Sequence, residues 1–248
     1  MARLARRRYP VSVGGLRISS YTALLYVGCV AGVLVGAAVA GAEGLSPQRF
    51  ALTAAALLAP AFLGARVWFL FQHRRDYREE PREIWRRSGG GMTLYGGVVA
   101  ALVASVPLLY LSSLPFWPFW DAAAAAALLG VVVSRVGCFM HGCCAGRATK
   151  NPLGMWLPNE RGMWQRRFPT PILEALWAAS VLLIGLTAWP RVAANGELFA
   201  VIMAGYAVGR LLLEPTREAQ RGQTKKNLAF SALLLAAGSL LLAARVLA

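Results

Sequence analysis

The stretch "DAAAAAALLGVVVSRVGCFMHGCCAGR", residues 121–147, joins an apolar run to a cluster of polar side chains. Alanine, leucine and valine fill most of its first half, and an arginine, a histidine and three cysteines follow between residues 135 and 144. About 20 apolar residues are needed for a helix to cross the hydrocarbon core of a bilayer. The stretch therefore predicts a membrane-spanning helix with chemically reactive groups at its end.

Apolar blocks of similar length recur along the whole chain of 248 residues, 57% of which are hydrophobic. The mean hydropathy, +0.52, is too high for an ordinary soluble domain. Seven blocks are close to the spanning length: residues 20–41, 50–72, 92–112, 117–139, 170–190, 197–214 and 227–247. The sequence therefore predicts an all-α, polytopic integral membrane protein with about seven transmembrane helices, folded as a single domain over residues 1–248.

The chain is strongly basic, with a formal net charge of +15 at pH 7. In a membrane protein the nearest partner for such a charge is anionic lipid, so we expect no nucleic-acid partner. The alternate loops place twenty of the 26 basic residues on one side of the membrane and three on the other. The positive-inside rule predicts that the more basic side faces the cytoplasm.

Three arginines, Arg66, Arg135 and Arg210, lie inside apolar blocks. An arginine at the centre of a membrane helix costs about 2.5–3.5 kcal/mol, so each needs a compensating partner. Glu214 lies four residues after Arg210 and therefore shares its helix face. Asp121 and Glu174 are further candidate partners, and each lies within or at the edge of an apolar block.

Two interpretations of these arginines remain open. In the first, ion pairs between arginine and glutamate hold the helices together. In the second, guanidinium groups from separate helices converge in a cavity and bind a phosphate, because arginine presents a planar set of donors that stays charged.

The cluster Cys138, His141, Cys143 and Cys144 offers four soft ligand atoms. Its spacing matches no common zinc motif, so no metal or cofactor belongs to the leading interpretation. Metal binding, a redox thiol pair, packing as small apolar residues and contact with a substrate headgroup all remain open. A second unusual segment, "SGGGMTLYGG" at 88–97, predicts close backbone approach or an anion held by helix amides.

Several short motifs follow one another in order along the chain. They are "ISSYTALLYVG" with Tyr21, "GARVWFLF" with Arg66, "GGGMTLYGG" with Gly96 and Gly97, "SRVGCFMHGCCAGR" with Arg135 and Gly146, "FPTPILEAL" with Glu174, and "GYAVGRLLLEPTRE" with Arg210 and Glu214. In order and spacing these motifs resemble those of the prolipoprotein diacylglyceryl transferase family, and the resemblance covers nearly the whole chain.

The departures from the family pattern fall on polar positions. Tyr95 stands where the glycine-rich motif of the family has histidine. Cys138 and His141 replace two signature asparagines, and Cys143 replaces the signature glutamate. The chain therefore resembles a divergent branch of the family.

The resemblance implies a reaction in which diacylglyceryl passes from phosphatidylglycerol to the cysteine thiol of a lipoprotein precursor. Arg135 and Arg210 are the expected phosphate ligands. His141 is the candidate base, since histidine titrates near neutral pH, and Tyr95 is a candidate hydrogen-bond donor. The residues expected near the substrate are Arg66, Glu214, Gly96, Gly97, Tyr21, Gly146, Cys138 and Cys143.

The expected partners are anionic phospholipid, the precursor peptide and the membrane itself. The resemblance implies a multi-pass protein of the bacterial cytoplasmic membrane, with the signature loops outside. The charge asymmetry favours the opposite orientation, so the orientation stays open. Two alternatives also stay open: the same fold with a different acceptor, and a protein that binds or moves anionic lipid without chemistry.

Overall fold

The computed structural model describes residues 11–13, 16–72, 74, 93–158, 162–189, 196–218 and 223–246. The helices are α1 (Ser20–Ala42), α2 (Pro47–Gln72), α3 (Leu94–Ser112), α4 (Phe116–His141), α5 (Thr170–Ala188), α6 (Glu197–Leu213) and α7 (Gln223–Val246). Two antiparallel hairpins pair β1 (Val11–Val13) with β2 (Leu16–Ile18) and β3 (Met155–Pro158) with β4 (Trp164–Arg167).

The prediction of an all-α, polytopic membrane fold is confirmed, because each apolar block forms one helix within a few residues of the expected bounds. Six helices of the described chain are long and apolar enough to cross a membrane. The remaining block, 92–112, forms α3, whose apolar part Gly96–Ser112 is shorter. Residues 88–92 of the glycine-rich segment lie outside the described residues.

The chain divides into two compact units. The first comprises Met1–Val39 and Trp120–Ala248, and the second comprises Ala40–Phe119. The expectation of a single domain over residues 1–248 stays a prediction.

In the second unit, α2 and α3 pack closely through small residues. A side chain at Gly96 would collide with Trp68 and with the backbone of Gly64. Near the other end of the pair, the Thr53 hydroxyl donates a hydrogen bond of 2.8 Å to the Ser112 hydroxyl. Small residues and interhelical hydroxyl bonds are the usual means of helix association in lipid, because apolar burial gives no advantage there.

In the first unit, the same principle joins α1 to α4 and α5 to α6. A side chain at Gly28 would lie 3.1 Å from the carbonyl oxygen of Gly130, so the two helices nearly touch. On α5, the Trp177 indole donates a 2.8 Å hydrogen bond to the Gly205 carbonyl of α6. These contacts set the relative positions of the helices that carry the polar residues.

The first turn of α6 is capped by a side chain from α4. The buried carboxylate of Asp121 accepts hydrogen bonds of 2.7 Å from the backbone N–H groups of Gly196 and Phe199. A carboxylate stabilises a helix N-terminus because the first N–H groups have no partner within the helix. Asp121, one of the acidic partners considered for the arginines, therefore serves the backbone of α6.

The Asp121→Ala variant is expected to lower the free energy of unfolding by about 3 kcal/mol, because two buried charge-assisted hydrogen bonds are lost. The measurement is unfolding of the purified protein by a denaturing detergent. Ser180→Ala is the matched control, since among the described residues the Ser180 hydroxyl bonds only the Leu176 carbonyl of its own helix. Equal stability of the two variants would refute the assigned role of Asp121.

Candidate functional site

Glu174 is the centre of a buried charge cluster in the first unit. Its carboxylate contacts Arg135 (Nε to Oε2, 2.9 Å) and Arg210 (Nη1 to Oε1, 2.8 Å). It also accepts from Arg217 (Nε to Oε1, 3.0 Å; Nη2 to Oε2, 3.3 Å). The Glu174 side chain is only 7% exposed, so one carboxylate joins three guanidinium groups away from water.

Glu214 is the second carboxylate of the cluster. Its Oε2 accepts a 3.1 Å hydrogen bond from Nη2 of Arg210, which confirms that the four-residue spacing places the two on one face. Its Oε1 accepts a 2.8 Å hydrogen bond from the Asn227 amide at the start of α7. Arg210 is therefore held between two carboxylates, and its orientation is fixed.

Local structure explains how these side chains meet. Glu174 is the fifth residue of α5, one turn after the helix begins at Thr170. At the other end of the cluster, α6 gives way at Glu214 to a short 3₁₀ turn, Glu214–Thr216. This turn ends the helix and directs Arg217 back towards Glu174.

The cluster carries an excess of positive charge. Among the described residues that form it, three guanidinium groups face two carboxylates, which leaves one positive charge. Arg135 contacts Glu174 through Nε alone, and its two Nη groups have no partner among the described residues. The Arg135 side chain is 19% exposed, so the protein does not enclose it completely.

Backbone hydrogen bonds join the loop after α4 to the segment before α5 and to the turn after α6. The N–H of Gly146 donates to the Phe168 carbonyl (2.9 Å), and the N–H of Arg147 donates to the Thr216 carbonyl (2.9 Å). A side chain at Gly146 would collide with the Thr170 hydroxyl and with the backbone of Thr216. Gly146 thus permits close packing, and the role at the substrate that the resemblance implies for it stays a prediction.

Three thiols meet at the end of α4. The sulfur atoms of Cys138, Cys143 and Cys144 all lie within 4.8 Å of one another. The Cys143 thiol also donates a long hydrogen bond, 3.6 Å, to the Cys138 carbonyl. Hydrogen bonds from the other two thiols lower the pKa of the Cys144 thiol, and the nearby positive charges of Arg135 and Arg217 act in the same sense.

The remaining predicted site residues fall in different places. Tyr21 lies on α1, and a β-carbon at Gly137 of α4 would be 3.3 Å from the Tyr21 Cα. Tyr21 therefore lies beside the turn of α4 that contains Arg135. His141 is the last residue of α4. Arg66 belongs to the second unit, where its guanidinium carbon lies 5.8 Å from the centre of the Phe69 ring.

Tyr95, Gly96 and Gly97 belong to the first turns of α3, in the second unit. The side chain of Tyr95 lies outside the described part of the structure. Gly96 and Gly97 face α2, where a side chain at Gly97 would lie 3.1 Å from the Ala61 carbonyl oxygen. Their packing role is clear, and the expected contact with substrate stays a prediction.

Sequence reasoning missed one member of the site and understated two others. Asn227 was overlooked, although an asparagine that opens an apolar block is itself a signal. Arg217 contacts Glu174 as the third guanidinium, whereas the sequence indicated only that it extends the helix face of Arg210 and Glu214. Glu174 was considered as one of three acidic partners and as a motif residue, although it connects all three arginines.

Comparison with known proteins identifies the family. Residues 8–244 match the family model described as prolipoprotein diacylglyceryl transferase. The relatives include proteins named phosphatidylglycerol–prolipoprotein diacylglyceryl transferase. That of Trichormus variabilis is 26% identical over 218 residues, which cover 84% of this chain and 77% of the relative.

Two relatives from other bacteria carry the same name. The protein of Bacillus licheniformis is 26% identical over 212 residues, covering 83% of this chain and 78% of the relative. That of Tropheryma whipplei strain TW08/27 is 30% identical over 181 residues, covering 68% of this chain and 65% of the relative. The family match spans nearly the whole chain and confirms the resemblance seen in the motifs. The chain belongs to the prolipoprotein diacylglyceryl transferase family.

Proposed function

We propose that this protein transfers diacylglyceryl from phosphatidylglycerol to the cysteine thiol of a prolipoprotein, the reaction for which its relatives are named. The acceptor sulfur, as a thiolate, forms a bond to the terminal carbon of the diacylglyceryl group. The bond between that carbon and the phosphate oxygen breaks, and glycerol phosphate leaves with the electron pair. Catalysis therefore requires stabilisation of the leaving phosphate and removal of the thiol proton.

The main support for the proposal is the pair of Nη groups on Arg135, which can donate hydrogen bonds to a ligand. Its two Nη groups have no partner among the described residues, while Nε is fixed by Glu174 at 2.9 Å. A guanidinium fixed in this way can give two parallel hydrogen bonds to a phosphate. Since the cluster carries one excess positive charge, it complements the single negative charge of a phosphodiester.

Arg210 and Arg217 complete the proposed phosphate site. Arg210 is oriented by Glu174 and Glu214, and Arg217 keeps its Nη1 group without a partner among the described residues. Donors that are already oriented need no reorganisation as charge develops on the leaving group, which is why such sites stabilise a transition state. In this proposal Arg135 and Arg217 contact the phosphate directly. Arg210, which the resemblance implied as a phosphate ligand, is held by Glu174 and Glu214 and contributes its positive charge to the site. Glu174 and Glu214 are positioning residues.

His141 is the proposed base, in place of the histidine that Tyr95 replaces. It lies six residues after Arg135, about 9 Å further along the helix axis. The His141→Gln variant is expected to reduce the rate of transfer by about 100-fold, the usual contribution of a positioned general base. The measurement is single-turnover transfer in vesicles, with His73→Gln as the control. A His141→Gln rate near that of the wild type would refute this role.

The transfer reaction is tested with the purified protein in vesicles that contain phosphatidylglycerol. A synthetic prolipoprotein peptide is added, and mass spectrometry detects a gain of one diacylglyceryl group on cysteine. A peptide with serine in place of the acceptor cysteine is the control. The proposal predicts modification of the cysteine peptide alone, together with rescue of cells depleted of their own transferase.

The alternatives predict other outcomes of the same assay. A protein with a different acceptor would release glycerol phosphate only when a different thiol or lipid is supplied. A lipid-binding protein would retain phosphatidylglycerol through purification without releasing glycerol phosphate. Cys138, His141 and Cys143 stand in place of polar residues of the family pattern. These substitutions are the reason to test a different acceptor for this chain.

We place the protein in the bacterial cytoplasmic membrane, with phosphatidylglycerol and the precursor peptide as partners and residues 1–248 acting as one membrane domain. The family orientation puts the loops after α2, α4 and α6 on the outer face, although these loops carry most of the positive charge. Anionic lipid headgroups at that face would attract these arginines. A reporter fused after Ala248 separates this orientation from the inverted one.

A further inference from the structure

The three converging thiols have no assigned step in the proposed transfer reaction, and the contact with substrate expected for Cys138 and Cys143 stays a prediction. Cys138 is 3% exposed in the last turn of α4, Cys143 is partly buried, and Cys144 is exposed. One sulfur atom comes from the end of a helix and two come from the loop that follows it, yet all three lie within 4.8 Å of one another.

The backbone after α4 is folded back to bring these sulfurs together. Gly142 has φ of +77°, and Cys144 has φ of +60°, so two left-handed residues follow the helix within three positions. For a residue with a β-carbon this conformation is unfavourable by about 1–2 kcal/mol. Such strain persists where the surrounding structure fixes it, and it is concentrated at functional sites.

The arrangement differs from what the simpler uses of cysteine require. A cysteine that serves as a small apolar residue is buried, whereas Cys144 is exposed. A disulfide would join two sulfurs and leave the third without a role. Three sulfurs at one point match the ligand set of a thiophilic metal ion, because soft thiolates favour Zn²⁺ and Cu⁺.

The distances suit such an ion. A zinc–sulfur bond of about 2.3 Å in tetrahedral geometry places neighbouring sulfurs about 3.8 Å apart. The thiols, already within 4.8 Å, need to approach by at most about 1 Å, which loop residues can provide. The exposed Cys144 supplies the path of entry. Three thiolates on Zn²⁺ would carry one negative charge, next to an arginine cluster with one positive charge in excess.

We propose that Cys138, Cys143 and Cys144 form a binding site for one thiophilic metal ion, with three thiolate ligands and a fourth position open to an exogenous ligand. His141 is not among the described residues whose ligand atoms form this group. The proposal does not depend on the transfer reaction, since the site is defined by the three sulfurs alone.

The test uses the full chain in detergent, reduced and purified without a polyhistidine tag, with Zn²⁺ and Cd²⁺ as probes. After equilibrium dialysis against Zn²⁺, the proposal predicts one tightly held ion per chain in the wild type and in the Cys29→Ser control. The Cys143→Ser and Cys144→Ser variants should each weaken binding by more than about 100-fold, since loss of an outer contact to a metal ligand already costs 10- to 100-fold. Cd²⁺ should produce an ultraviolet thiolate-to-metal band that these variants reduce.

Two outcomes would overturn the proposal. One is equal retention of Zn²⁺ by the wild type and by a variant with all three cysteines changed to serine. The other is a thiol titration of the unreduced, denatured wild type that finds two thiols fewer than its four cysteines, because the cluster would then form a disulfide. Size-exclusion profiles and helical circular dichroism confirm that each variant is folded before its metal content is compared.

Discussion

The Glu174→Gln variant is expected to lose about 3–5 kcal/mol of stability, the usual effect of removing one partner from a buried ion network. Three guanidinium groups now share this carboxylate at 2.8–3.3 Å, and an amide would keep one acceptor while placing a donor among them. The excess charge of the cluster would rise by one. Transfer should fall by at least about 100-fold, because the arginines lose their fixed positions. Detergent-induced unfolding and the vesicle assay measure the two effects.

Glu218→Gln is the matched control for this change. Glu218 also contacts an arginine, Arg167 at 3.2 Å, but its side chain is 52% exposed. Because the Glu218 carboxylate stays largely in water and the buried Arg167 keeps its hydrogen bond to the Gly146 carbonyl, loss of this one contact should cost less than loss of Glu174. If Glu174→Gln were no less stable than Glu218→Gln, Glu174 would not be the centre of the cluster. Glu174→Asp, which keeps the charge with a shorter reach, should restore part of the stability.

The Arg135→Lys variant is expected to lower kcat/KM for transfer by about 100- to 1,000-fold, as is usual when an oriented donor is removed from a charge-stabilising site. Lysine keeps the positive charge and can still pair with Glu174. It cannot also present a planar pair of donors to the phosphate. The structure should therefore tolerate the change, so stability should fall by much less than in Glu174→Gln. Steady-state transfer at several phosphatidylglycerol concentrations separates weaker binding from slower chemistry.

Arg166→Lys is the control for the loss of an arginine. Arg166 lies on the exposed hairpin strand β4, where its guanidinium donates to the carbonyl oxygens of Gly154 and Pro152. We expect near wild-type transfer for this variant. Wild-type kcat/KM in Arg135→Lys would show that the Nη donors of Arg135 do not hold the phosphate, and the main support for the proposed function would be lost.

Much of the fold was predictable because membrane helices are specified locally. A bilayer requires about 20 apolar residues per crossing, and each of the seven blocks became a helix. The pairing of Arg210 with Glu214 was predictable for a similar reason, since four residues make about one turn of one helix. The glycine-rich segment indicated close backbone approach, and the surroundings of Gly96 bear this out.

The composition of the charge cluster was not predictable at this level. Glu174 lies 36 residues from Arg210 and 43 from Arg217, so no spacing rule relates them. The contact of Arg217 with Glu174 depends on the 3₁₀ turn that follows α6. The capping of α6 by Asp121, 75 residues before Gly196, is another contact of this kind.

The amino-acid sequence by itself determined that this chain is a helical membrane protein of the diacylglyceryl transferase family, because apolar length and motif order are properties of the linear chain. Only the tertiary structure decided which arginines share one carboxylate and that three of the four cysteines meet. Those contacts depend on how the helices pack and how the loops turn back. Several side chains far apart in sequence could bind the same partner, and only their three-dimensional positions decide which of them do.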